Sequence, residues 1–324
     1  MGRTRKGAAL SKRIISNRGS SVKVSKKVLF IYNPHAGRAM IKQSLADILD
    51  LFAAARFEVT VFPTQKPRDA IKKTAEDAPE YDLLVCSGGD GTLDEVVTGM
   101  MKRKKKIPIG YIPAGSTNDF AKSLGIQPNM LQAAKTVIGG VPFQTDIGSF
   151  QNDPFVYIAA FGLFTDVSYE TDQQMKNILG HMAYILEGAK RVGTYPSYRF
   201  RIRANNMLIE DEFLYGMITN SVSVGGFQNI TGSNVLLDDG VFEVTLIKKP
   251  ANVMELNEIM VALVSGRIDT HMIYCFKTGR IEFESERPVA WTLDGEYGGD
   301  HTKVTVVNNR QAVTIIVPPK KTKG

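Results

Sequence analysis

Cysteine is scarce in this sequence: Cys86 and Cys275 are the only two among 324 residues. This excludes a disulfide scaffold and suits the reducing conditions of the cytoplasm. The sequence also lacks any apolar run of about 18 residues, so no transmembrane helix is expected. No apolar segment follows the basic start, which argues against a secretory signal peptide. Hydrophobic residues make up 43% and charged residues 23%, which is ordinary for a globular protein and excludes a disordered, collagenous or coiled-coil chain.

Acidic residues are absent from the first 27 positions, which carry nine Lys and Arg side chains. The rest of the chain has 31 basic and 33 acidic side chains, so the net charge of +7 belongs to this end. Residues 1–26 are therefore predicted to form a basic tail. The tail is either a solvated leader or a loose attachment to anionic lipid, where each basic residue contributes about 1 kcal/mol. Nucleic-acid binding is not expected, because the chain shows no aromatic interleaving and no known nucleic-acid module.

The first half of the chain alternates short apolar strands with helical patterns. This alternation predicts an α/β domain with a doubly wound parallel sheet. Ligands of such sheets bind at the carboxyl ends of the strands, in the loops that open the helices. The predicted strands are 28–32, 57–62, 83–86 and 109–112, and the predicted helices are 41–55, 69–78, 92–101 and 118–124.

The second half is rich in β-strand patterns separated by turn residues, which predicts an antiparallel sandwich or sheet pair. The predicted strands are 155–160, 198–204, 207–220, 241–248, 274–284, 290–293, 303–308 and 312–317. Helices are predicted near 171–191 and 252–264, and the first of them is either a core helix or a methionine-containing lip that admits an acyl chain. We expect a nucleotide-binding domain over 27–146 and a substrate domain over 147–305. The segment 306–319 is expected to return to the first domain.

Three loops carry the chemistry, and each follows a predicted strand and precedes a helix. They are 33–37 (N-P-H-A-G), 88–92 (G-G-D-G-T) and 113–119 (P-A-G-S-T-N-D). Glycine lets the main chain approach a phosphate closely, and the free N–H groups of a helix start favour an anion. Three such loops at one sheet edge predict a triphosphate cradle, although none of them is a Walker A motif.

Asp90 places a carboxylate inside this anion-binding region, where it would repel phosphate without a cation between them. Mg²⁺ is the expected mediator, because it prefers oxygen ligands and shares them with nucleotide phosphates. The alternative is that Asp90 caps the helix that starts at Thr92.

In this order and spacing, the motifs N-P-x-x-G, G-G-D-G-T and P-x-G-[ST]-x-N-D-F-A resemble the diacylglycerol kinase catalytic domain, most closely the soluble bacterial lipid kinases. The resemblance continues through L-D-D-G at 237–240 and D-G-E at 294–296, and covers about residues 27–318. It implies a first domain like those of NAD kinase and phosphofructokinase, followed by a β-rich sandwich. It also implies ATP as the donor and Mg²⁺ as the metal ion.

The resemblance implies a role for each matching position. Glu296 would be the base that takes the proton of the lipid hydroxyl, with Asp294 as its essential neighbour. Asp90 and Asp146 would be further catalytic acids, Asp146 near the interdomain cleft. Leu236, Asp239 and Val241 would hold a supporting Mg²⁺, the first and last through main-chain carbonyls. The ATP-contacting positions would be Asn33, Pro34, His35, Ala36, Gly37, Thr64, Gly89, Asp90, Gly91, Thr92, Leu93, Asp94, Glu95 and Ser116.

Two positions depart from the family pattern: Asp94 stands where asparagine is frequent, and Ser116 where threonine is common. Independently of the family, Asp294 and Glu296 would face one side of an extended segment, or else be two solvated acids in a surface turn.

Two other functions are considered. NAD kinase shares the G-G-D-G-T loop and is the rival enzyme, and a nucleotide-binding regulator without turnover is the non-enzymatic rival. We expect action on lipid at the inner membrane face, and exposed strand edges are compatible with a homodimer.

Overall fold

The computed structural model describes residues 25–162, 196–224, 227–228, 235–265 and 270–319. The basic tail up to residue 24 and the predicted helix 171–191 lie outside the described residues.

The α/β part is built around four parallel strands in the order β2-β1-β3-β4. These strands are β1 (Lys26–Tyr32), β2 (Phe57–Pro63), β3 (Leu83–Gly88) and β4 (Ile109–Pro113). The central strands β3 and β4 are buried along their whole length, as expected for parallel strands covered on both faces. The sequence therefore predicted the four strands of this sheet, with ends within two residues.

Six α-helices and one 3₁₀ turn (Ala78–Glu80) connect the strands of this part. The helices are α1 (Ala36–Ala39), α2 (Ile41–Ala54), α3 (Asp69–Asp77), α4 (Asp90–Met101), α5 (Asp119–Ser123) and α6 (Met130–Gly139). The most extensive contacts between these helices are those of α2 with α6 and of α3 with α4, and the short α1 contacts α2.

Helix α6 was not predicted from the sequence, although its signals are local. The Asn129 side chain caps this helix by accepting the main-chain N–H of Gln132 at 3.0 Å. Buried Met130, Ala133, Ala134 and Val137 have the i, i+3, i+4, i+7 spacing of an amphipathic helix.

The second half is β-rich, as predicted, and contains one described helix, α7 (Val253–Ser265). Its strands are β5 (Val141–Phe150), β6 (Asp153–Phe155), β7 (Ile158–Gly162), β8 (Tyr198–Ala204), β9 (Met207–Thr219), β10 (Ser223–Val224), β11 (Phe227–Gln228), β12 (Phe242–Lys248), β13 (Ile273–Thr278), β14 (Arg280–Leu293) and β15 (Glu296–Val317).

Hydrogen bonding joins thirteen strands of both halves into one sheet, in the order β13-β12-β9-β7-β14-β15-β4-β3-β1-β2, with β5, β6 and β8 attached at its sides. The two halves meet where β15 pairs in parallel with β4, Ile315 opposite Ile109. In the described part of the chain, the expected separate sandwich is thus continuous with the α/β sheet. Register shifts in β14 and β15 let these long strands bend around a second core.

Three strand boundaries correct the prediction. The predicted strand 155–160 is broken at residues 156–157, and 274–284 is divided at Gly279 into β13 and β14. Conversely, 303–308 and 312–317 are parts of the single strand β15, which a bulge after Asn309 interrupts.

Two apolar cores stabilise the sheet. The larger core contains residues of the parallel strands together with Leu214, Met217 and Ile315 from the second half. The smaller core surrounds Trp291, whose ring centroid lies 4.9 Å from that of Phe161 and 5.1 Å from that of Phe150. The larger core thus draws on both halves of the chain. Within the described residues, no helix is long and apolar enough to span a bilayer.

Candidate active site

A cleft of about 720 Å³ opens at the carboxyl ends of β1, β3 and β4 and is bordered by the turn between β14 and β15. All three predicted phosphate loops reach it, together with the D-G-E segment. Its lining comprises Asn33, His35, Ala36, Gly37, Thr64, Gln65, Lys66, Pro67, Gly89, Asp90, Gly91, Thr92, Glu95, Gly115, Ser116, Thr117, Asn118, Tyr157, Asp294, Gly295 and Glu296.

The three loops touch one another through their main chains. A Cβ atom added to Gly115 would lie 2.6 Å from the Cα atom of Gly89, and one added to Gly37 would lie 1.7 Å from the carbonyl oxygen of Ala114. Gly37 also has a φ of +53°, a conformation that glycine adopts without strain. Glycine at these positions therefore brings main-chain groups of separate loops together around one space.

Asn118 holds the third loop in its shape. Its backbone is left-handed, with a φ of +50°, and its side chain bonds to both main-chain groups of Gly115, at 3.0 Å to the N–H and 2.6 Å to the carbonyl. The buried Tyr111 hydroxyl donates to the carbonyl oxygen of Gly88 at 3.3 Å. Asn118 was part of the motif used for the resemblance, but its structural role was not predicted.

Asp90 joins α4 to α5. Its carboxylate accepts the main-chain N–H groups of Asp119 at 3.0 Å and Phe120 at 3.4 Å. The predicted capping role was therefore assigned to the wrong helix: α4 starts at Asp90 itself, and the carboxylate binds the first turn of α5. Burial raises the pKa of Asp90 to about 7, against the two N–H bonds that lower it.

Glu95 organises the loop that follows β2. Its two carboxylate oxygens accept the main-chain N–H groups of Arg68 at 2.7 Å and Ala70 at 3.1 Å. This holds Arg68 in a left-handed conformation and keeps Thr64 and Lys66 at the cleft. Lys66 was missed as a site residue, although a cation just after a strand of a predicted phosphate-binding sheet was a readable signal.

Asp294 and Glu296 lie in a tight turn, not in the extended segment that the sequence analysis considered. Asp294 and Gly295 have φ values of +51° and +89°. The buried Asp294 carboxylate accepts three consecutive main-chain N–H groups, from Val156, Tyr157 at 3.0 Å and Ile158 at 2.9 Å. These bonds explain the break between β6 and β7.

Burial and neighbouring groups act in opposite directions on Asp294. Burial raises its pKa to about 6, and the three N–H groups oppose this rise. The buried hydroxyl of Tyr157 lies in the same acidic surroundings, and burial raises its pKa as well. The turn is thus anchored to the loop between β6 and β7 through the Asp294 carboxylate.

Glu296 is the exposed carboxylate of this turn. Its Oε1 atom lies 3.5 Å from the position of a Cβ atom added to Gly91, in the first turn of α4. Glu296 thus faces the G-G-D-G-T loop across the cleft. A proton acceptor and an anion-binding helix start consequently border the same space.

Three predicted nucleotide contacts, Pro34, Leu93 and Asp94, do not line the cleft. Leu93 is fully buried in the larger apolar core. Asp94 lies on the side of α4 that faces Asp294. The other eleven predicted nucleotide residues line the cleft.

Asp146 lies outside the cleft and fastens two segments of main chain. Its carboxylate accepts the N–H of Gly240 at 2.6 Å and that of Gln311 at 2.7 Å, and its own N–H donates to the carbonyl oxygen of Leu237 at 2.7 Å. Asp146 therefore positions the L-D-D-G turn and the bulge of β15. This geometry gives no support to the predicted catalytic role.

The predicted magnesium residues lie at the same turn. The Asp239 carboxylate accepts the Val241 N–H at 3.2 Å and has the Lys277 ammonium 3.8 Å away. Carboxylate and main-chain carbonyl oxygens, as Asp239, Leu236 and Val241 would offer, are the kind of ligand that Mg²⁺ takes. The ion would share the Asp239 carboxylate with Lys277. No cluster of three His, Cys, Asp or Glu side chains suited to a metal ion occurs among the described residues.

Two family models match most of the chain. The model of the diacylglycerol kinase catalytic domain matches residues 27–150, and that of the YegS C-terminal NAD kinase beta sandwich-like domain matches residues 159–317. A diacylglycerol kinase of Bacillus subtilis (strain 168) is 34% identical over 300 residues, covering 91% of this chain and 98% of the relative. The chain belongs to the diacylglycerol kinase family.

Other members of the diacylglycerol kinase family are similar over most of the chain. The diacylglycerol kinase of Staphylococcus aureus (strain Newman) is 33% identical over 276 residues, covering 85% of this chain and 87% of the relative. The crystal structure of a diacylglycerol kinase from Bacillus anthracis str. Sterne has a TM-score of 0.76 and is 27% identical, covering 91% of this chain and 97% of the other. Membership of this family supports a kinase that transfers a phosphoryl group to an alcohol.

Proposed function

We propose that this chain is an ATP- and Mg²⁺-dependent lipid kinase that phosphorylates the hydroxyl group of diacylglycerol or a related lipid. The observation that carries the proposal is the position of Glu296, whose carboxylate faces the first turn of α4 across the phosphate cleft. The family and the names of the curated relatives support the same acceptor class.

The geometry suggests a role for each part of the cleft. Main-chain N–H groups of the glycine-rich loops and the ammonium of Lys66 would bind the phosphates of ATP. Glu296 would take the proton of the lipid hydroxyl. The hydroxyl oxygen would bond to the γ-phosphorus atom of ATP while the bond from that phosphorus to the bridging β-phosphate oxygen breaks, which releases ADP. Asp294 would not touch the reacting atoms: it positions the turn that carries Glu296.

Bound Mg²⁺ neutralises charge on phosphate oxygens during such a transfer. The carboxylate of Asp239 and the carbonyls of Leu236 and Val241 would hold a second, supporting Mg²⁺. In this proposal Asp90 binds the start of α5 to α4 and so fixes the relative positions of the second and third phosphate loops.

The lipid would be reached at the inner membrane face, where the basic tail would be attracted to anionic lipid. The acceptor distinguishes this function from that of an NAD kinase. A nucleotide-binding regulator would have no use for a carboxylate at the position of Glu296.

The test is transfer of γ-³²P from ATP, with Mg²⁺, to a panel of lipids in mixed micelles, with NAD as a parallel acceptor. The proposal expects label in one lipid of the panel and none in NAD. Label in NAD alone would identify the rival kinase. Tight ATP binding with no labelled acceptor would contradict the proposal and favour the regulator.

A further inference from the structure

Two carboxyl groups meet between α4 and the turn that carries Glu296. Asp94 lies one helical turn after Gly91, which Glu296 approaches across the cleft, and its buried side chain is within hydrogen-bonding reach of the Asp294 carboxyl group. Ionised carboxylates only accept hydrogen bonds, so a hydrogen bond between the two requires a proton on one of them. The question is which of the two carries it.

The partners of Asp294 assign the proton to Asp94. The Asp294 oxygens already accept three main-chain N–H groups, which favour its ionised form. Asp94 has no such donors: its Oδ1 atom is shut off from solvent and has no hydrogen-bond partner in the described part of the chain. A neutral Asp94 donating to an ionised Asp294 is the arrangement that these partners favour, because it leaves no second buried charge without a donor.

The surroundings favour the same assignment, because acidic groups face this pair from three elements. They are Glu95 and Asp90 on α4, Glu296 on β15 and the hydroxyl of Tyr157 between β6 and β7. Burial first, and then the charges of Asp294 and Glu296, raise the pKa of Asp94 well above its ordinary value of 3.8.

We propose that Asp94 is a positioning residue that acts as a neutral acid, and that its proton ties α4 to Asp294 and thereby holds Glu296 at the phosphate cleft. The proposal rests on the proposed kinase function. An asparagine amide at this position would supply an N–H donor to the same carboxylate.

Two substitutions in the full-length chain distinguish the effect of the hydrogen-bond donor at position 94 from that of the shape of its side chain. Asp94→Asn keeps a neutral donor, and Asp94→Leu keeps the branched shape and the number of heavy atoms without a donor. We expect Asp94→Asn to retain kcat within about threefold, and Asp94→Leu to lose about tenfold or more with little change in the KM for ATP. Asp47→Asn, an exposed position on α2, is the matched control and should behave as the parent protein does.

A second measurement needs no turnover: the thermal midpoint from pH 5 to pH 9. A folded-state pKa above the unfolded value means that the folded protein holds a proton that the unfolded chain releases above about pH 4, so stability is lost as the pH rises. Asp94→Asn removes this contribution. Its midpoint should therefore rise relative to that of the parent as the pH increases, whereas Asp47→Asn should follow the parent throughout.

Two results would overturn the proposal. One is a loss of kcat in Asp94→Asn as large as that in Asp94→Leu, which would mean that a charged Asp94 is needed. The other is a midpoint difference between Asp94→Asn and the parent that does not change with pH. If the parent protein phosphorylates no lipid, the proposed function fails, and the midpoint series still decides the state of Asp94.

Discussion

The acidic residues at the cleft differ in their hydrogen-bond partners, and these partners separate their roles. Asp90 is bound by α5 and Asp294 by the loop between β6 and β7, whereas Glu296 is exposed to the cleft. The sequence identified all three as candidates. It could not separate them, because the N–H donors to Asp294 lie 136 to 138 positions away in the chain.

At the residue scale, Lys66 provides a test of the phosphate cleft. Its exposed ammonium lines the cleft, so Lys66→Gln should raise the KM for ATP by about three- to tenfold at low salt, with a smaller effect on kcat. The effect should shrink at high salt, because salt screens exposed charges. Lys72→Gln, an exposed lysine on α3 away from the cleft, is the control. An unchanged KM in Lys66→Gln would remove this residue from ATP binding.

At the element scale, the loops were predictable because the carboxyl ends of parallel strands meet at one sheet edge. Their mutual contacts were not, because the approach of Gly115 to Gly89 depends on how two loops pack. The helix α6 was missed despite its cap and periodicity. By contrast, the turn at 294–296 depends on bonds to distant main chain that no local pattern reports.

Gly115→Ala tests the contact between loops. The added methyl group would lie 2.6 Å from the Cα atom of Gly89, which is main chain and has no rotamer to adopt. We expect ATP affinity to fall about tenfold and the free energy of unfolding to fall by about 1–3 kcal/mol. Calorimetry would measure both.

The matched control for this change is Gly139→Ala, because nothing lies within 4 Å of the added methyl group there. Its ATP affinity should equal that of the parent. If Gly115→Ala also bound ATP as the parent does, the loops would not be held together by this contact.

At the scale of the whole molecule, β15 links the two halves. It pairs with β14 and β5 and then in parallel with β4. The sequence showed the apolar patterns of this strand but divided it in two, because the bulge after Asn309 interrupts the alternation. Its partners are non-local, so the continuity of the sheet was beyond sequence reasoning.

This continuity predicts that the α/β part does not fold alone. A fragment of residues 1–152 would lack β15 beside β4 and the apolar groups of Leu214, Met217 and Ile315 in the larger core. We expect no cooperative thermal transition in the fragment and a single one in the full chain, measured by circular dichroism and calorimetry. A cooperative transition in the fragment would show that the halves are independent.

The central claim is that Glu296 takes the proton of the lipid hydroxyl. The most direct measurement is the rate of γ-phosphoryl transfer by Glu296→Gln, with ATP affinity measured in parallel. Glu286→Gln, an exposed glutamate on β14 outside the cleft, is the control. We predict a loss of about 10²- to 10⁴-fold in rate with ATP affinity retained for Glu296→Gln, and a normal rate for the control. A near-normal rate in Glu296→Gln would contradict the account.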